Sequence, residues 1–246
     1  MISKNQRKLI QSLKLKKNRI KTSLFIAEGE KVVSELINSK IKLNSLFCLP
    51  EFINKIDVEN DLVTEITQKE LDKVSNLKNA NQVIALFEIP KFNQPSENNS
   101  LTLALDDIRD PGNLGTIIRL ADWFGISTIL CSANTVDAFN PKVIMATMGS
   151  ISRVKIIYCD LVEELSKIDK PIYGAFLEGE NIYKTSKIDN SVLVIGNESN
   201  GISAEIEKLI TNKITIPQFG ALQETESLNA AVATSILLSE FKGHTS

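Results

Sequence analysis

The sequence of 246 residues predicts an α/β protein with two domains. After about residue 100, short apolar segments alternate with segments whose apolar residues recur at helical spacing, a pattern typical of a parallel sheet covered by helices. A polar segment rich in proline and asparagine, PKFNQPSENNS, separates this region from a smaller α/β region. The predicted boundaries are residues 1–90 for the first domain, 91–100 for the linker and 101–246 for the second domain.

The first region is predicted to contain three helices and three strands. In ITQKELDKVSN, Thr67 is followed three residues later by Glu70, which is the capping-box spacing at a helix start. The predicted elements are, in order, a helix over Ser3–Asn18, the strand LFIAEG, the helix EKVVSELINS, the strand LNSLFCL, the helix of the capping box and the strand QVIALFEI.

The second region alternates more regularly, so its strands are predicted to lie parallel. The predicted strands are LTLALDDI, ISTILCS, RVKIIYC, PIYGAFL, SVLVIGNE and KITIP, and the helices between and after them are NLGTIIRLADWFG, NPKVIMATMGS, LVEELSKI, SAEIEKLI and ESLNAAVATSILLSEF. Ligands of such sheets bind beyond the carboxyl ends of the strands. The candidate ligand-binding loops are therefore those that follow predicted strands: DIRDPGN, GNESNGIS and PQFGALQETES.

The loop GNESNGIS has the glycine and serine spacing of a phosphate-binding loop, G-x-x-x-x-G-K-[ST]. Ile202 stands where the lysine belongs, and Glu198 adds a negative charge that would repel a triphosphate. The loop thus disfavours an ATPase and favours a neutral or cationic ligand. The alternative is an ordinary turn in which Ser203 caps the following helix.

The other two loops each precede a predicted helix. DPGN is predicted to form a tight turn that places Asn113 at a helix start, where its side chain can cap the helix or face a ligand. Arg119 lies six residues further on and therefore on a different face of that helix. Ser227 is predicted to be the N-cap of the final helix, with Asn229 close by.

Composition excludes several classes of function. The single histidine, His244, lies two residues from the C-terminus, where it is a poor general base or metal ligand. The three cysteines form no C-x-x-C pair, so neither a zinc site nor a disulfide framework is indicated: Cys48, Cys131 and Cys159. The sequence has no apolar run of membrane-spanning length, and MISKNQRKLI lacks the apolar stretch of a signal peptide, so neither a membrane span nor a signal peptide is expected. A cytoplasmic protein without metal is expected.

The charge distribution points to nucleic acid, although the net charge is only −2. The chain has no acidic residue before Glu28, while eight lysine and arginine residues precede it. Such a basic arm can neutralise phosphates, and the candidate RNA-binding residues are Lys14, Lys16, Lys17 and Arg19. The alternative is a solvated, lysine-rich helix face.

Each loop alone is a weak signal, but their order and spacing resemble a known family. DPGNLGTIIRLADWFGI, VIGNESNGIS and IP…ESLNAAVATSILLSEF resemble the three motifs of the SpoU-type (TrmH-like) RNA 2′-O-ribose methyltransferases of the SPOUT superfamily. The resemblance covers about 101–246 and extends to NPKVIMATMGSISRV between the first two motifs. LFIAEGEKVVSELI is similar, more loosely, to the family's small L30e-like RNA-binding domain.

The resemblance implies a fold and an activity. The SPOUT domain would be a parallel-sheet domain with a deep trefoil knot, although knots are rare in proteins generally. The protein would be a homodimer that binds S-adenosylmethionine in the knot and methylates a ribose 2′-hydroxyl, with ribosomal RNA favoured over transfer RNA. The alternatives are the same reaction on transfer RNA, or a non-catalytic RNA-binding or ribosome-assembly protein.

The resemblance also implies which residues form the site. Arg119 would accept or orient the proton of the ribose hydroxyl, and Asn113 would support it. The implied catalytic residues are Asn113, Arg119, Glu198, Ser227 and Asn229, and the implied cofactor-binding residues are Leu177, Gly196, Asn197, Gly201, Ile216 and Leu228. The loop Gln218–Glu226 is longer than the family's usual IP-x-x-G-x-x-ES, which weakens the assignments around it.

Overall fold

The computed structural model describes residues 1–77, 81–91, 101–186, 190–220 and 227–243. The described chain divides into two compact units. The first consists of Met1–Lys91 together with Asp137–Ser152, and the second contains the remaining described residues. Most of the predicted linker, most of the loop before Ser227, and His244 lie outside the described residues.

The first unit contains a mixed four-stranded sheet in the order β1-β4-β2-β3. Its central strand β4 runs antiparallel to β1 and β2, while β3 runs parallel to β2. Three strands match the prediction, and the short β3 was not predicted. The strands are β1 (Leu24–Glu28), β2 (Leu43–Cys48), β3 (Val63–Glu65) and β4 (Val83–Glu88).

Helices pack on this sheet around an apolar core that includes Ile10, Phe47 and Leu86. At the start of α5 the Glu70 carboxylate accepts a hydrogen bond from the backbone N–H of Thr67 at 3.0 Å, as the capping-box spacing predicts. The helices before the second unit are α1 (Lys4–Ser12), α2 (Lys16–Thr22), α3 (Glu30–Ile37), α4 (Pro50–Ile53) and α5 (Gln68–Asp72), and a 3₁₀ turn covers Asn60–Leu62.

The prediction of one helix over Ser3–Asn18 is wrong, because the chain breaks between α1 and α2. Leu13 is the C-cap of α1 and is fully buried. The guanidinium of Arg19 donates to the backbone carbonyls of Leu13 at 2.7 Å and Lys14 at 3.0 Å. Those carbonyls would otherwise lack partners at a helix end, so the side chain of Arg19 stabilises the break.

The second unit is built on a six-stranded sheet in the order β10-β8-β9-β5-β6-β7. Every neighbouring pair is parallel, which confirms the predicted parallel sheet. The central strands are buried on both faces, as the continuous apolar runs require. The strands are β5 (Thr102–Leu105), β6 (Thr128–Cys131), β7 (Lys155–Tyr158), β8 (Ile172–Asn181), β9 (Val192–Ile195) and β10 (Asn212–Thr215).

The helices of the rest of the chain follow the predicted alternation. Four of them begin with a side-chain N-cap, which is Asp110 for α6, Asn140 for α7, Asp160 for α8 and Asn229 for α10. The helices are α6 (Pro111–Trp123), α7 (Pro141–Thr147), α8 (Leu161–Ser166), α9 (Ala204–Glu207) and α10 (Ala230–Lys242).

The segment Asp137–Ser152, which carries α7, groups with the first unit although it lies between β6 and β7 in the chain. The ring of Phe139 lies 5.0 Å from that of Phe25 on β1. Arg19 forms an ion pair with Asp137 at 2.5 Å, and the arginine side chain is only 2% exposed. The first compact unit therefore contains a segment from the middle of the chain, whereas the predicted domains were consecutive ranges.

Candidate functional site

The three candidate loops begin at the carboxyl edge of the six-stranded sheet, and residues 217–220 and 227 of the third loop are described. They follow β5, β9 and β10, and these strands belong to the consecutive run β10-β8-β9-β5. Parallel strands all end at the same edge, so the loops are brought together by topology alone. This is where the sequence placed its candidate site.

A chain of side-chain hydrogen bonds connects the first two loops and the start of α10. The amide nitrogen Nδ2 of Asn113 donates to the carboxylate of Glu198. The Nδ2 of Asn229 donates to Oδ1 of Asn113 at 2.8 Å. Three of the five residues implied as catalytic are therefore in direct contact, although 85 and 116 residues separate the bonded pairs in sequence.

Asn113 is held in place by the first turn of α6. Asp110 is the N-cap, and its carboxylate accepts from the backbone N–H of Asn113 at 2.8 Å. Pro111 occupies the first helical position, where its missing N–H has no cost. The prediction of a separate turn at Pro111 and Gly112 is wrong, because both residues already belong to the helix.

Asn229 serves both the last helix and the site. Its Oδ1 accepts from the backbone N–H groups of Ala231 at 3.0 Å and Val232 at 3.3 Å, so it is the N-cap of α10. The prediction that Ser227 caps this helix is wrong by two residues. Because Asn229 uses its oxygen for the cap, its nitrogen is free to donate to Asn113.

The loop after β9 closes on itself. Asn197 and Gly201 exchange backbone hydrogen bonds at 3.0 and 2.8 Å, and Gly201 has a positive φ of 68°. A Cβ on Gly196 would lie 2.3 Å from the carbonyl carbon of Gly201. The loop's own backbone fills the space of a Cβ at this position, so residue 196 must be glycine. The predicted contact of Gly196 with a cofactor stays a prediction.

Two residues at the end of β5 fix this loop, and sequence reasoning did not single them out. The buried carboxylate of Asp106 accepts from the backbone N–H of Ser203 at 2.8 Å. The carbonyl of Asp107 accepts from Nδ2 of Asn197 at 2.9 Å. The signal was present in LTLALDD, because paired acids directly after a buried strand stand at the ligand-binding edge of the sheet.

Arg119 and Ser227 do not belong to this hydrogen-bond chain. Arg119 is exposed on α6, and six residues of helix turn its side chain about 120° away from that of Asn113. Ser227 is also exposed, just before the cap residue of α10. The structure thus joins Asn113, Glu198 and Asn229 and leaves the other two candidates at the surface of the same unit.

The apolar residues implied as cofactor-binding lie on the same edge. Leu177 on β8 is 72% exposed, and its backbone carbonyl accepts from Oγ1 of Thr215 at 2.9 Å. Leu228 is also exposed, and Ile216 is half-buried directly after β10. Exposed leucines beside a polar site can cover the apolar part of a ligand.

The basic arm of the first unit is only partly available to RNA. Lys14, Lys16 and Lys17 are exposed, as phosphate contacts require. Arg19 is a correction to the predicted set, because it is buried and bound to Asp137, Leu13 and Lys14. Its role in this structure is to hold the fold of the first unit.

The described residues contain no group of three or more His, Cys, Asp or Glu side chains that could hold a metal ion. Within the same residues, no helix is long and apolar enough to cross a membrane.

Fold and site together define an α/β protein whose parallel sheet carries a carboxylate–amide site without a phosphate-binding lysine. Comparison with known protein families identifies the family within this class, because residues 100–239 match the SpoU rRNA methylase family. The chain belongs to that family. Residues 4–85 match the MRM3-like substrate binding domain.

Individual relatives agree with this assignment. The chain is 29% identical to the 23S rRNA (guanosine(2553)-2′-O)-methyltransferase RlmP of Bacillus subtilis, over 98% of both chains. It is 32% identical to the 23S rRNA (guanosine-2′-O-)-methyltransferase RlmB of Blochmanniella floridana, over 78% of this chain and 80% of the relative.

Solved structures of similar proteins share the whole fold. A protein of the TrmH family from Porphyromonas gingivalis is 35% identical, with a TM-score of 0.90 over 99% of both chains. An AdoMet-bound rRNA methyltransferase from Sinorhizobium meliloti is 30% identical, with a TM-score of 0.86 over 99% of this chain and 97% of the other.

Proposed function

We propose that this protein transfers a methyl group from S-adenosylmethionine to a ribose 2′-hydroxyl of ribosomal RNA. The observation that carries the proposal is the hydrogen-bond chain Glu198–Asn113–Asn229, which joins the three segments that resemble the family's motifs. The relatives named as ribosomal RNA 2′-O-methyltransferases support the reaction, and their names support ribosomal over transfer RNA.

The residues at the site fit S-adenosylmethionine. When bound, this cofactor supplies an electrophilic methyl group on a positively charged sulfur. The loop after β9 has no lysine and carries Glu198, so it suits a cation better than a phosphate. Leu177, Ile216 and Leu228 would cover the apolar part of the cofactor, and Asn197 and Gly201 would shape the loop against it.

The site residues would act chiefly by positioning. In the reaction the ribose oxygen bonds to the methyl carbon as the carbon–sulfur bond breaks, and the hydroxyl proton must leave. Asn113 is held on both sides, so its amide has one orientation and would hold the ribose or its phosphate. Correct orientation of two reactants is a large part of a rate enhancement.

Arg119 would receive or orient the hydroxyl proton, with Ser227 near the reacting groups. A guanidinium is normally always protonated, so orientation is the simpler role, and proton acceptance would need help from an RNA phosphate. The exposure of Arg119 supports a residue that meets the substrate rather than one that holds the fold.

The first unit would bind the RNA. We propose an L30e-like domain over residues 1–90, joined by residues 91–100 to a SPOUT domain over 101–246 that is knotted and forms a cytoplasmic homodimer. The match to a substrate binding domain over residues 4–85 supports the RNA-binding role, in which Lys14, Lys16 and Lys17 contact phosphates.

The test is methyl transfer to ribosomal RNA and, in a separate reaction, to transfer RNA, both purified from a source strain that lacks this gene. The wild type, Arg119→Ala and Arg153→Gln are compared with labelled S-adenosylmethionine, and the RNA is digested to nucleosides. Arg153 is the matched control, since this arginine of the same unit pairs with Asp122 outside the site.

The expected result is label in a 2′-O-methylnucleoside, lost with Arg119→Ala and kept with Arg153→Gln. Label on a base would contradict the proposed acceptor. Label only in transfer RNA would change the substrate, and cofactor binding without any transfer would favour a non-catalytic RNA-binding protein.

A further inference from the structure

Two exposed aromatic side chains lie together on the second unit, outside the hydrogen-bond chain of the site. Phe219 is 83% exposed and Tyr183 is 45% exposed. Their ring centroids are 6.3 Å apart, with 37° between the ring planes. This is within the range of aromatic contacts, but the two rings do not stack face to face.

The pair stands at the same sheet edge as the site. Tyr183 follows β8 and Phe219 follows β10, while Glu198 follows β9. These three strands are consecutive in the sheet, in the order β10-β8-β9. The aromatic pair is therefore continuous with the proposed catalytic edge of the unit.

The backbone around Tyr183 is held by hydrogen bonds. The N–H of Tyr183 donates to Oδ1 of Asn181 at 2.9 Å, and the N–H of Ile182 donates to the carbonyl of Thr215 at 3.0 Å. The side chain of Ile182 is fully buried between these contacts. These contacts hold the backbone at a position whose side chain is exposed.

The exposed charges close to Tyr183 in the sequence are of both signs. Glu178 and Glu180 are exposed on β8, and Lys184 is exposed directly after Tyr183. Carboxylates do accept hydrogen bonds from the exocyclic amino groups of bases. Aromatic rings stack on bases of any sequence, which is a common way to bind unpaired RNA.

We propose that Tyr183 and Phe219 form a stacking platform for an unpaired nucleobase of the RNA substrate, next to the ribose that is methylated. This inference rests on the proposed function and extends it by assigning two RNA-contacting residues in the catalytic unit. The platform would hold the RNA strand in an unstacked conformation, in which a 2′-hydroxyl can reach the site.

The test compares steady-state constants of Phe219→Ala and Phe219→Tyr on the full-length protein. The substrate is the same deproteinised ribosomal RNA from the strain that lacks the gene. Tyr183→Phe keeps the second ring and loses only its hydroxyl. The control is Trp123→Ala, since Trp123 is equally exposed, at 84%, but lies at the opposite end of α6 from Asn113.

Phe219→Ala is expected to raise KM for RNA roughly tenfold, with kcat and calorimetric affinity for S-adenosylmethionine unchanged. Phe219→Tyr and Tyr183→Phe should behave as the wild type. A matching loss of S-adenosylmethionine affinity would overturn the proposal and make the pair a cofactor cover. If sedimentation shows that Phe219→Ala changes the oligomeric state, then the pair contacts a second copy of the protein and the proposal is wrong. If Phe219→Ala leaves KM for RNA unchanged, then the pair does not contact the RNA.

These outcomes are distinct from a failure of the proposed function. If the wild type forms no 2′-O-methylnucleoside, then the reaction itself is wrong. If the wild type does so and Phe219→Ala has the same KM, then only the platform is wrong.

Discussion

Nδ2 of Asn229 donates to Oδ1 of Asn113 at 2.8 Å, so the cap of the last helix is also a support of the site. One side chain thereby links the stability of α10 to the orientation of an amide on α6. The two roles use different atoms of Asn229, which makes them separable by mutation.

Replacing Asn229 by Asp should separate capping from site function. The carboxylate keeps the oxygen that caps α10, but it loses the hydrogen that binds Asn113 and places a second negative charge near Glu198. We expect kcat for methyl transfer to fall by a factor of about 10 to 100, corresponding to about 1–3 kcal/mol.

The unfolding free energy, measured in urea, should change by less than about 0.5 kcal/mol for this variant. The comparison is Asn229→Ala, which loses the cap and should be destabilised by about 1 kcal/mol as well. Equal kcat values for Asn229→Asp and the wild type would contradict the role of the amide.

Gly196 should tolerate no side chain. A Cβ there would lie 2.3 Å from the backbone of Gly201, and backbone cannot rotate away as a flexible side chain can. We expect Gly196→Ala to lower the unfolding free energy by at least about 2 kcal/mol in urea denaturation. Gly220→Ala is the control, because a Cβ at that position meets no atom within 4 Å.

Substitution of the exposed lysines of the basic arm should affect RNA binding, whereas substitution of its buried arginine should affect folding. Replacing Lys14, Lys16 and Lys17 by Gln should weaken RNA binding and reduce the slope of log affinity against log salt by about two. Filter binding at several salt concentrations measures this slope. An unchanged slope would exclude the arm from phosphate contact.

Arg19→Met should instead affect folding. It would leave the carboxylate of Asp137, which is only 15% exposed, without its ion-pair partner. Loss of one member of a buried pair lowers the unfolding free energy by about 3–5 kcal/mol. A stability like that of the wild type, together with a reduced salt slope, would restore Arg19 to the RNA-binding set.

The thiols should be unreactive near neutral pH. Burial, with nearby Glu65 adding to it, raises the pKa of Cys48 to about 11, and burial also raises the pKa of Cys159 to about 11, with a smaller contribution from Glu164. Because the raised pKa favours the neutral thiol in the folded state, this stabilisation is complete below the unfolded pKa of about 8.5 and is lost as the pH rises towards 11.

Alkylation by iodoacetamide at pH 8 should therefore be slow in the folded protein and fast in urea, since the thiolate is the reactive form. The same reaction followed from pH 8 to 11 should accelerate steadily. Equal rates in the folded and unfolded protein at pH 8 would contradict the raised pKa values.

The sequence by itself determined the parallel sheet and the three loops of the site. Apolar runs such as VLVI and TLAL have the length and composition of buried strands, and their alternation with helices leaves few other arrangements. The helix start close to Asn113 was predicted as well, although from a turn at Pro111 and Gly112, which in the structure belong to the first turn of α6. Strand composition and helix starts depend on residues that are close together in the sequence, so the sequence alone predicts them.

Only the tertiary structure decided which candidates touch. Glu198 meets Asn113 across 85 residues, and no spacing rule predicts such a contact. The burial of Arg19 depends on Asp137, which lies 118 residues away, so its charge alone suggested RNA binding. Charge and periodicity are read along the chain, whereas burial and partnership depend on the packing of distant segments, which is why the structure was needed to settle them.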